Sequence, residues 1–584
     1  MHDMIVKGGT VVDGSGVPGR TADVAIKDGV IVEIGKVSAP ARETIDADGA
    51  VVTPGFLDVH SHYDGQFLWD DRLDSSFSHG VTTVIAGNCG VGFAPVADHQ
   101  RELIELMEGV EDIPGIVLDE GLDWNWRSFP DYLQRLAQRA YTMDVASHLP
   151  HAPLRVFVMG ERGLRHEPAT AEDIEAMSGL VREAMAAGAI GVSSGRILEH
   201  ISSKGANVPG AFAKDDELLA LARAMGEAGH GVFQMILKGT IGGLVQQGIP
   251  RDERLEEHRR LEAVARAAGR PVTYNLVEFA SDPEDFQMMV EASVAAVAGG
   301  LDIRPQILSR GLGSIQSLDT NHVFLAKPSY RQIARLPARE RAQAMRDPER
   351  REAILSEADD PTAGAGKLAA ANGQRKGLPH SYVLKSPLDY EPGPDRQVRA
   401  LAAAAGKTPE EFIYDHYAAG EGDNFSVTFA LNYAHGSLDH VHALLGNPQV
   451  VSGLADGGAH VRMICDACAP TFQIAFWTRE RTRGPRLPLE LIIRKLSAEP
   501  AALYGLEDRG LLAVGRRADL NVFDYDALSL PNPHLAHDLP SGAGRLVQGS
   551  SGYLATLVRG VTTRRDGEET GARPGRLVRS GAGG

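Results

Sequence analysis

Along residues 56–455, short and almost wholly apolar runs alternate with longer stretches whose apolar positions recur at helical spacing. The apolar runs fall at 56–59, 81–86, 145–148, 189–193, 231–237, 271–277, 301–307 and 450–455. The clearest amphipathic stretches between them are 170–187, 215–228 and 251–268. A strand covered on both faces reads as a continuous apolar run, and strands alternating with helices predict a parallel α/β sheet. Eight such units favour a closed, TIM-like (β/α)8 barrel over an open doubly wound sheet. The rhythm breaks at about 324–422, where charged helices (330–344 and 347–358) precede a Gly/Ala/Asp-rich loop and a further helix near 395–404. This segment is expected to be a helical insertion between the seventh and eighth strands. It either shapes the active site, as loops at that end of a barrel do, or is a peripheral ornament.

The flanking segments differ in texture. Residues 1–53 carry β-rich runs at 4–7, 10–12, 24–27 and 30–34, punctuated by Gly8-Gly9, Asp13-Gly14 and the hairpin-type turn Asp28-Gly29. Strand texture returns in 505–584, at 510–515 and 518–524 and in the hairpin 553–558/561–563 around Arg559-Gly560. The economical reading is one small β domain built from 1–53 and 505–584, clasped beside a 54–504 barrel. The tail 579–584 is expected to be disordered.

Length and composition narrow the class. A chain of 584 residues exceeds one ordinary core, which suits a large domain with a smaller companion. Its 59 basic against 77 acidic side chains give a net charge of −18, which argues against nucleic acid as a partner. Three cysteines, Cys89, Cys465 and Cys468, make no disulfide framework. No apolar stretch has the length of a membrane span or a signal-peptide core, so no membrane partner and a cytoplasmic location are expected. Oligomeric state stays open, a homo-oligomer included.

Candidate chemistry begins at His60-Ser61-His62, which closes the apolar run 56–59. Side chains alternate along a strand, so the two imidazoles project to one side and can share a divalent ion. Asp64 could join them or orient one of them. At the far end of the barrel the run 450–455 leads into Asp456-Gly457-Gly458-Ala459-His460. An aspartate there could ligate the ion, accept a proton from water that the ion acidifies, and hand it to a leaving amine. Cys89, in Gly87-Asn88-Cys89-Gly90 after the second strand, is a thiolate ligand or a small buried hydrophobe. Residues near other strand ends are candidates for substrate contact: His148, His151, Arg196, His200 and Arg310, with Arg304 at the start of the seventh strand. An arginine could clamp a carboxylate. Two further patterns fail: Cys465-x-x-Cys468 has no second pair, and Gly364-Ala365-Gly366-Lys367 lacks most of a phosphate loop.

Taken together, Pro54–Asp64 resembles the first-strand motif of the amidohydrolase superfamily, and Gly80–Thr83 with Gly87–Gly90 is similar to the second-strand segment of its N-acyl-D-amino-acid deacylase (D-aminoacylase) branch. Ala455–His460 looks like that branch's last-strand motif, and Gly515–Asp524 resembles the superfamily's closing signature. The resemblance spans essentially the whole chain. It implies a TIM-like barrel with a composite β-sandwich, a zinc ion, and hydrolysis of the amide bond of N-acyl amino acids, the small-molecule partners. It also implies His60 and His62 as ligands of one metal position, Asp456 as base and ligand, and Cys89 as thiolate ligand of a second zinc. The branch supplies that second zinc with histidines from strands five and six. This chain has Gln234 and Asn275 there instead, and no lysine on strand four. One zinc on His60, His62 and Asp456 is therefore expected rather than two, with His200 or His148 as candidates to complete its shell. A cyclic-amide or carbamate hydrolase, or an inactive binding protein, are the alternatives.

Overall fold

The computed structural model describes residues 1–240, 249–384 and 388–581. Each of the eight apolar runs contains a strand: Phe56–Asp58, Val81–Ala86, Asp144–Ser147, Gly191–Gly195, Val232–Ile236, Val272–Leu276, Ile303–Ile307 and Val451–Ser452. The third resumes after His148 as Leu149–Pro150. Neighbours pair in parallel and in chain order, Phe56 beside Val81, Val84 beside Val145, and Val192 beside Leu149 and Phe233. Val272 then pairs Phe233 and Ile303, and Gln306 pairs Val451. Beyond the last strand Gly457 bridges Ser61 in parallel, so the carboxyl ends of the eighth and first strands are hydrogen-bonded to each other.

Helices fill the connections as the 3.6-residue pattern requires. Ala171–Ala186 opens on a capping box in which the Thr170 hydroxyl accepts from Asp173 N and the Asp173 carboxylate accepts from Thr170 N. Arg251–Ala268 stops at Gly269, whose φ of +58° suits glycine. The helices bury their apolar stripes against the strands through residues such as Met177, Val181, Leu218, Leu221, Leu261 and Val264.

Segments from the start and end of the chain meet in one sheet. Its order is Glu568–Glu569, Val561–Arg565, Tyr553–Val558, Leu520–Phe523, Val51–Pro54, His2–Val11, Arg20–Lys27, Val30–Gly35, with Ala41–Asp46 also on His2–Val11. Val52 pairs Val522, and Val6, Val24, Ile31, Leu520 and Leu557 form its core. Hydrogen bonds join all nine strands into a single sheet. Gly8-Gly9 does not break the first strand as expected. His2–Val11 is continuous, with a register shift between Val6 and Gly9 that lets the Asp23 carboxylate accept from Gly8 N at 2.9 Å. The tail is not disordered where it is described: Ser580 bonds Ala189 O and, at 2.8 Å, His230 Nδ1, and Arg579 donates to Ala187 O. Residues 582–584 of that predicted tail lie outside the described residues.

The segment before the eighth strand holds more than helices. Leu312–Gln316, Phe425–Leu431 and Tyr382–Leu384 form an antiparallel sheet, covered by a core around Phe324, Tyr330, Ile354, Tyr414 and Tyr417. The helix expected over 330–344 is two, Pro328–Arg331 and Ala338–Met345, because Pro337 cannot continue a helix. Among the described residues no helix is long and apolar enough to cross a membrane.

Candidate active site

His60 and His62 flank Ser61, whose hydroxyl donates to Ile85 O at 3.0 Å on the second strand. The main chain ties this loop to the one after the eighth strand: His62 N donates to Gly457 O (2.7 Å) and Asp456 N to His60 O (3.0 Å). The Asp456 carboxylate thereby lies 3.5 Å from His60 Nε2 and 3.7 Å from His62 Nε2. Gly457 is required at this junction, because a Cβ there would stand 2.8 Å from the Tyr63 ring. Leu454, Asp456 and His460 all have φ near +50°, as does Cys89, a backbone conformation that costs a non-glycine residue roughly 1–2 kcal/mol. Four such residues in two facing loops mark where the fold holds side chains against their preference.

Cys89 Sγ is 3.3 Å from His60 Nε2. Among the described residues, His60, His62 and Cys89 are the group whose ligand atoms all lie within 4.8 Å of one another. The Cys89 thiol thus lies beside the two histidines. Gln234 and Asn275, which occupy the positions of the absent histidines, hold it in place. Gln234 Oε1 accepts from Cys89 N at 2.7 Å, Gln234 Nε2 donates to Asn275 Oδ1 at 3.0 Å, and Asn275 Nδ2 points to the sulfur at 3.7 Å.

The electrostatics of the cluster favour a cation. Burial lowers the imidazole of His60 to about 4 and drives His62 well below its usual range, so both rings are neutral with lone pairs to give. Burial, reinforced by Asp466 and Asp58, pushes Asp456 up to about 8. Glu111 and the Cys89 thiol are raised well above their ordinary values, by burial first and then by nearby acids. His60 Nδ1 meets Gln306 Oε1 at 2.8 Å, and since that oxygen only accepts, Nδ1 carries the proton and Nε2 faces Cys89 and Asp456. Two imidazoles, a thiol and a carboxylate converging in a space rich in buried acids are a donor set that fits a divalent ion such as zinc.

The cluster floors a cavity of about 370 Å³. His200 lines it, as do Glu111 and His460, which sequence reasoning did not select. Glu111 Oε1 lies 3.3 Å from His62 Nδ1 and Oε2 lies 3.8 Å from His460 Nε2. A signal for Glu111 existed: in the helix Gln100–Glu111 it falls on the same face as Ile104 and Met107, where an acid is out of place. Gln306, at the end of the seventh strand, was likewise missed.

Four predicted contact residues do not line the cavity. His151 bonds Ser194 Oγ and Glu217 Oε1, both at 2.9 Å, and Glu217 also takes Arg155. Arg196 is spent on Glu257 and Ala213 O. Arg310 pairs with Asp466 and lies over the Tyr390 ring, 4.4 Å from its centroid. His148 is buried against Tyr504 with Nδ1 on Ala86 O at 3.2 Å. Buried polar groups need partners, which His151, Arg196 and Arg310 find in Glu217, Glu257 and Asp466, although Arg310 Nη1 and His148 Nε2 have no hydrogen-bond partner among the described residues. Arg304, at the amino end of its strand, pairs with Asp302. Asp64 is buried and raised to about 7, chiefly by burial.

Comparison with known proteins bears on this geometry. The model of the amidohydrolase family matches residues 43–564. The D-aminoacylase of Alcaligenes xylosoxydans xylosoxydans is 26% identical over 99% of this chain and 97% of its own. A solved D-aminoacylase, described by its binuclear metal centre with one-metal activation and second-metal attenuation, superposes with a TM-score of 0.65 at 23% identity, over 99% of this chain and 100% of that one. The N-acyl-D-glutamate deacylase of Bordetella bronchiseptica, solved with zinc and a phosphonate mimic of the tetrahedral intermediate, gives 0.63 at 22%, again over 99% and 100%.

Proposed function

The chain belongs to the amidohydrolase family, and from that premise we propose that it hydrolyses the amide bond of N-acyl amino acids with the help of a single zinc ion. The observation that carries the reading is the convergence of His60, His62 and Cys89 within 4.8 Å, with the Asp456 carboxylate 3.5 Å from His60. In this reading the eight parallel strands close as a (β/α)8 barrel, residues 54–504, whose carboxyl ends carry the site. The nine-stranded sheet of 1–53 and 505–584 is its companion domain, of β-sandwich kind. His60, His62, Cys89 and Asp456 would hold the ion, and Gln234 and Asn275 offer a second one no imidazole from the fifth and sixth strands. D-aminoacylase and N-acyl-D-glutamate deacylase are relatives whose names point to the same bond class.

A zinc ion held there would supply Lewis acidity, the chemistry that makes water a nucleophile near neutral pH. The protein supplies the rest. Gln306 fixes the His60 tautomer with Nε2 inward. Asp456, on its strained loop, takes the proton from the attacking water and returns it to the departing nitrogen, leaving a carboxylic acid and an amine. As a carboxylate beside the ion it would accept that proton and, once protonated, release it to the leaving group. The segment before the eighth strand contributes Gly373, Gln374 and Thr428 to the cavity wall.

Zinc-loaded protein should release free amine from N-acyl amino acids in a screen of D and L forms. Asp456→Asn should lower kcat by about 10²–10⁴ while zinc content persists, and His60→Ala should lose the zinc. Turnover in Asp456→Asn at the parental rate would refute the proton-transfer role.

A further inference from the structure

Hydrolysis of an N-acyl amino acid requires the protein to recognise more than the amide, and one side chain of the cavity wall is free to do so. The connection after the fourth strand, Gly191–Gly195, carries His200 into that wall. Its loop is held on both sides. Asn207 Nδ2 donates to Leu198 O at 2.9 Å, and Ser203 N donates to Glu105 O at 2.8 Å on the helix Gln100–Glu111. The contact with that helix is close: a Cβ on Gly109 would stand 2.2 Å from the Ser202 carbonyl carbon, so glycine lets the loop approach. His200 is thus fixed against the element that ends in Glu111. Other polar side chains of the wall are engaged by protein atoms. The Thr240 hydroxyl donates to Leu237 O, Gln374 donates to Ser314 Oγ, and Asn275 accepts from Gln234. His200 Nδ1, in contrast, is shielded from solvent and has no hydrogen-bond partner among the described residues. The imidazole also stands outside the group formed by His60, His62 and Cys89. Burial, reinforced by His460 and His60, lowers it to about 3, so the ring is neutral and carries one N–H.

A polar atom left unpartnered in a wall costs free energy until a ligand group completes it, and an ionised acceptor makes the stronger bond. Strands that pair in chain order, with the eighth meeting the first, put the fourth opposite the eighth. His200 and Asp456 therefore enter the cavity from opposite sides. An amide lying over His60, His62 and Asp456 presents the substituent on its nitrogen to the rest of the cavity. In an N-acyl amino acid that substituent carries the carboxylate, one carbon beyond the nitrogen. We infer, resting on the proposed hydrolysis of N-acyl amino acids, that His200 recognises the free carboxylate of the substrate by donating its imidazole N–H to a carboxylate oxygen. His200 is then a binding residue that sets the preference for N-acyl amino acids over simple amides.

A matched pair tests this on the full zinc-loaded chain: N-acetylleucine, in both enantiomers, and N-isopentylacetamide, the same molecule with hydrogen in place of the carboxylate. Acetate release gives kcat/KM for each, and calorimetry on Asp456→Asn, with and without His200→Ala, gives each Kd. In the parent the acid should be preferred. His200→Ala should cut that preference roughly tenfold or more, mainly through KM, as loss of a hydrogen bond to a charged group does, with zinc content unchanged. His200→Asn, whose amide N–H can take the place of Nδ1, should restore most of it. An absent or unchanged preference would overturn the inference and leave amide hydrolysis standing. So would equal loss on both compounds, which a structural role or one confined to the transition state gives, or loss of zinc from His200→Ala. If the parent hydrolyses neither compound, the activity reading fails, and the ratio of Kd values with and without His200 still decides whether this side chain binds the carboxylate.

Discussion

At Cys89 a thiol sits among amides where imidazoles would be expected, and the amides serve the protein instead of an ion. Gln234 takes the Cys89 N–H and passes its own amide hydrogen to Asn275, so both side chains are satisfied inside the protein. The same logic governs Arg310. Its guanidinium is buried, paired with Asp466 and stacked over Tyr390, so it is a structural cation. Arg310→Ala should therefore destabilise the fold by about 3–5 kcal/mol, since it leaves Asp466 buried and unpaired. The fraction that stays folded should keep its substrate KM, and a thermal melt beside a Michaelis curve reads both. His60, His62 and Asp456 could be placed at strand ends from residue type and spacing, because strand alternation and strand-end position fix where such side chains go, whereas Cys89 could be read from its surroundings only as a thiolate ligand or a small buried hydrophobe. The directions of Arg196, His151 and Arg310 were not legible. They depend on Glu257, Glu217 and Asp466, partners supplied by other elements and invisible to local pattern.

At the scale of elements, all eight core strands could be read from apolar runs, since strands covered on both faces have no alternation to confuse. The antiparallel strands Leu312–Gln316, Tyr382–Leu384 and Phe425–Leu431 could not, being short and half-covered by helices that dominate the local pattern. One loop shows how tightly these elements meet. Gly90, next to Cys89, has φ +76°, and a Cβ there would come within 2.6 Å of Gly195 N on the fourth strand. Gly90→Ala should cost about 2 kcal/mol or more, because an L side chain in that conformation is strained even before the clash. The loop would be forced off the strand and Cys89 with it. Zinc affinity, measured by competition with a chromogenic chelator, should fall in this variant.

At the scale of the whole molecule, the core and its companion sheet are joined by a buried charge cluster. Asp144, at the start of the third strand, takes Arg509 and Arg517, and its other oxygen accepts from Arg576 N at 2.8 Å. Burial alone would raise this carboxyl, but Arg517, Arg509 and Arg559 outweigh it and hold the group below its ordinary value. A depressed carboxylate stabilises the folded state above its unfolded pKa, about 3.9, and that contribution fades as pH falls through the folded value. Asp144→Asn should thus lower the thermal midpoint strongly at pH 7, by the equivalent of about 3–5 kcal/mol. The difference from the parent should begin to shrink below about pH 4 and close only as pH falls past the lower folded value, and melts at matched scan rate across that range would reveal a flat offset if the pairing were unimportant. The pairing of Val51–Pro54 with Leu520–Phe523 has a consequence in time as well as space. A ribosome working at about 5–20 residues per second delivers the second strand roughly half a minute to a minute and a half after the first. Throughout that interval the nascent chain displays a bare, valine-rich edge, open to the same edge on the next polysome neighbour, so crowding during synthesis is when this architecture is most exposed to mispairing.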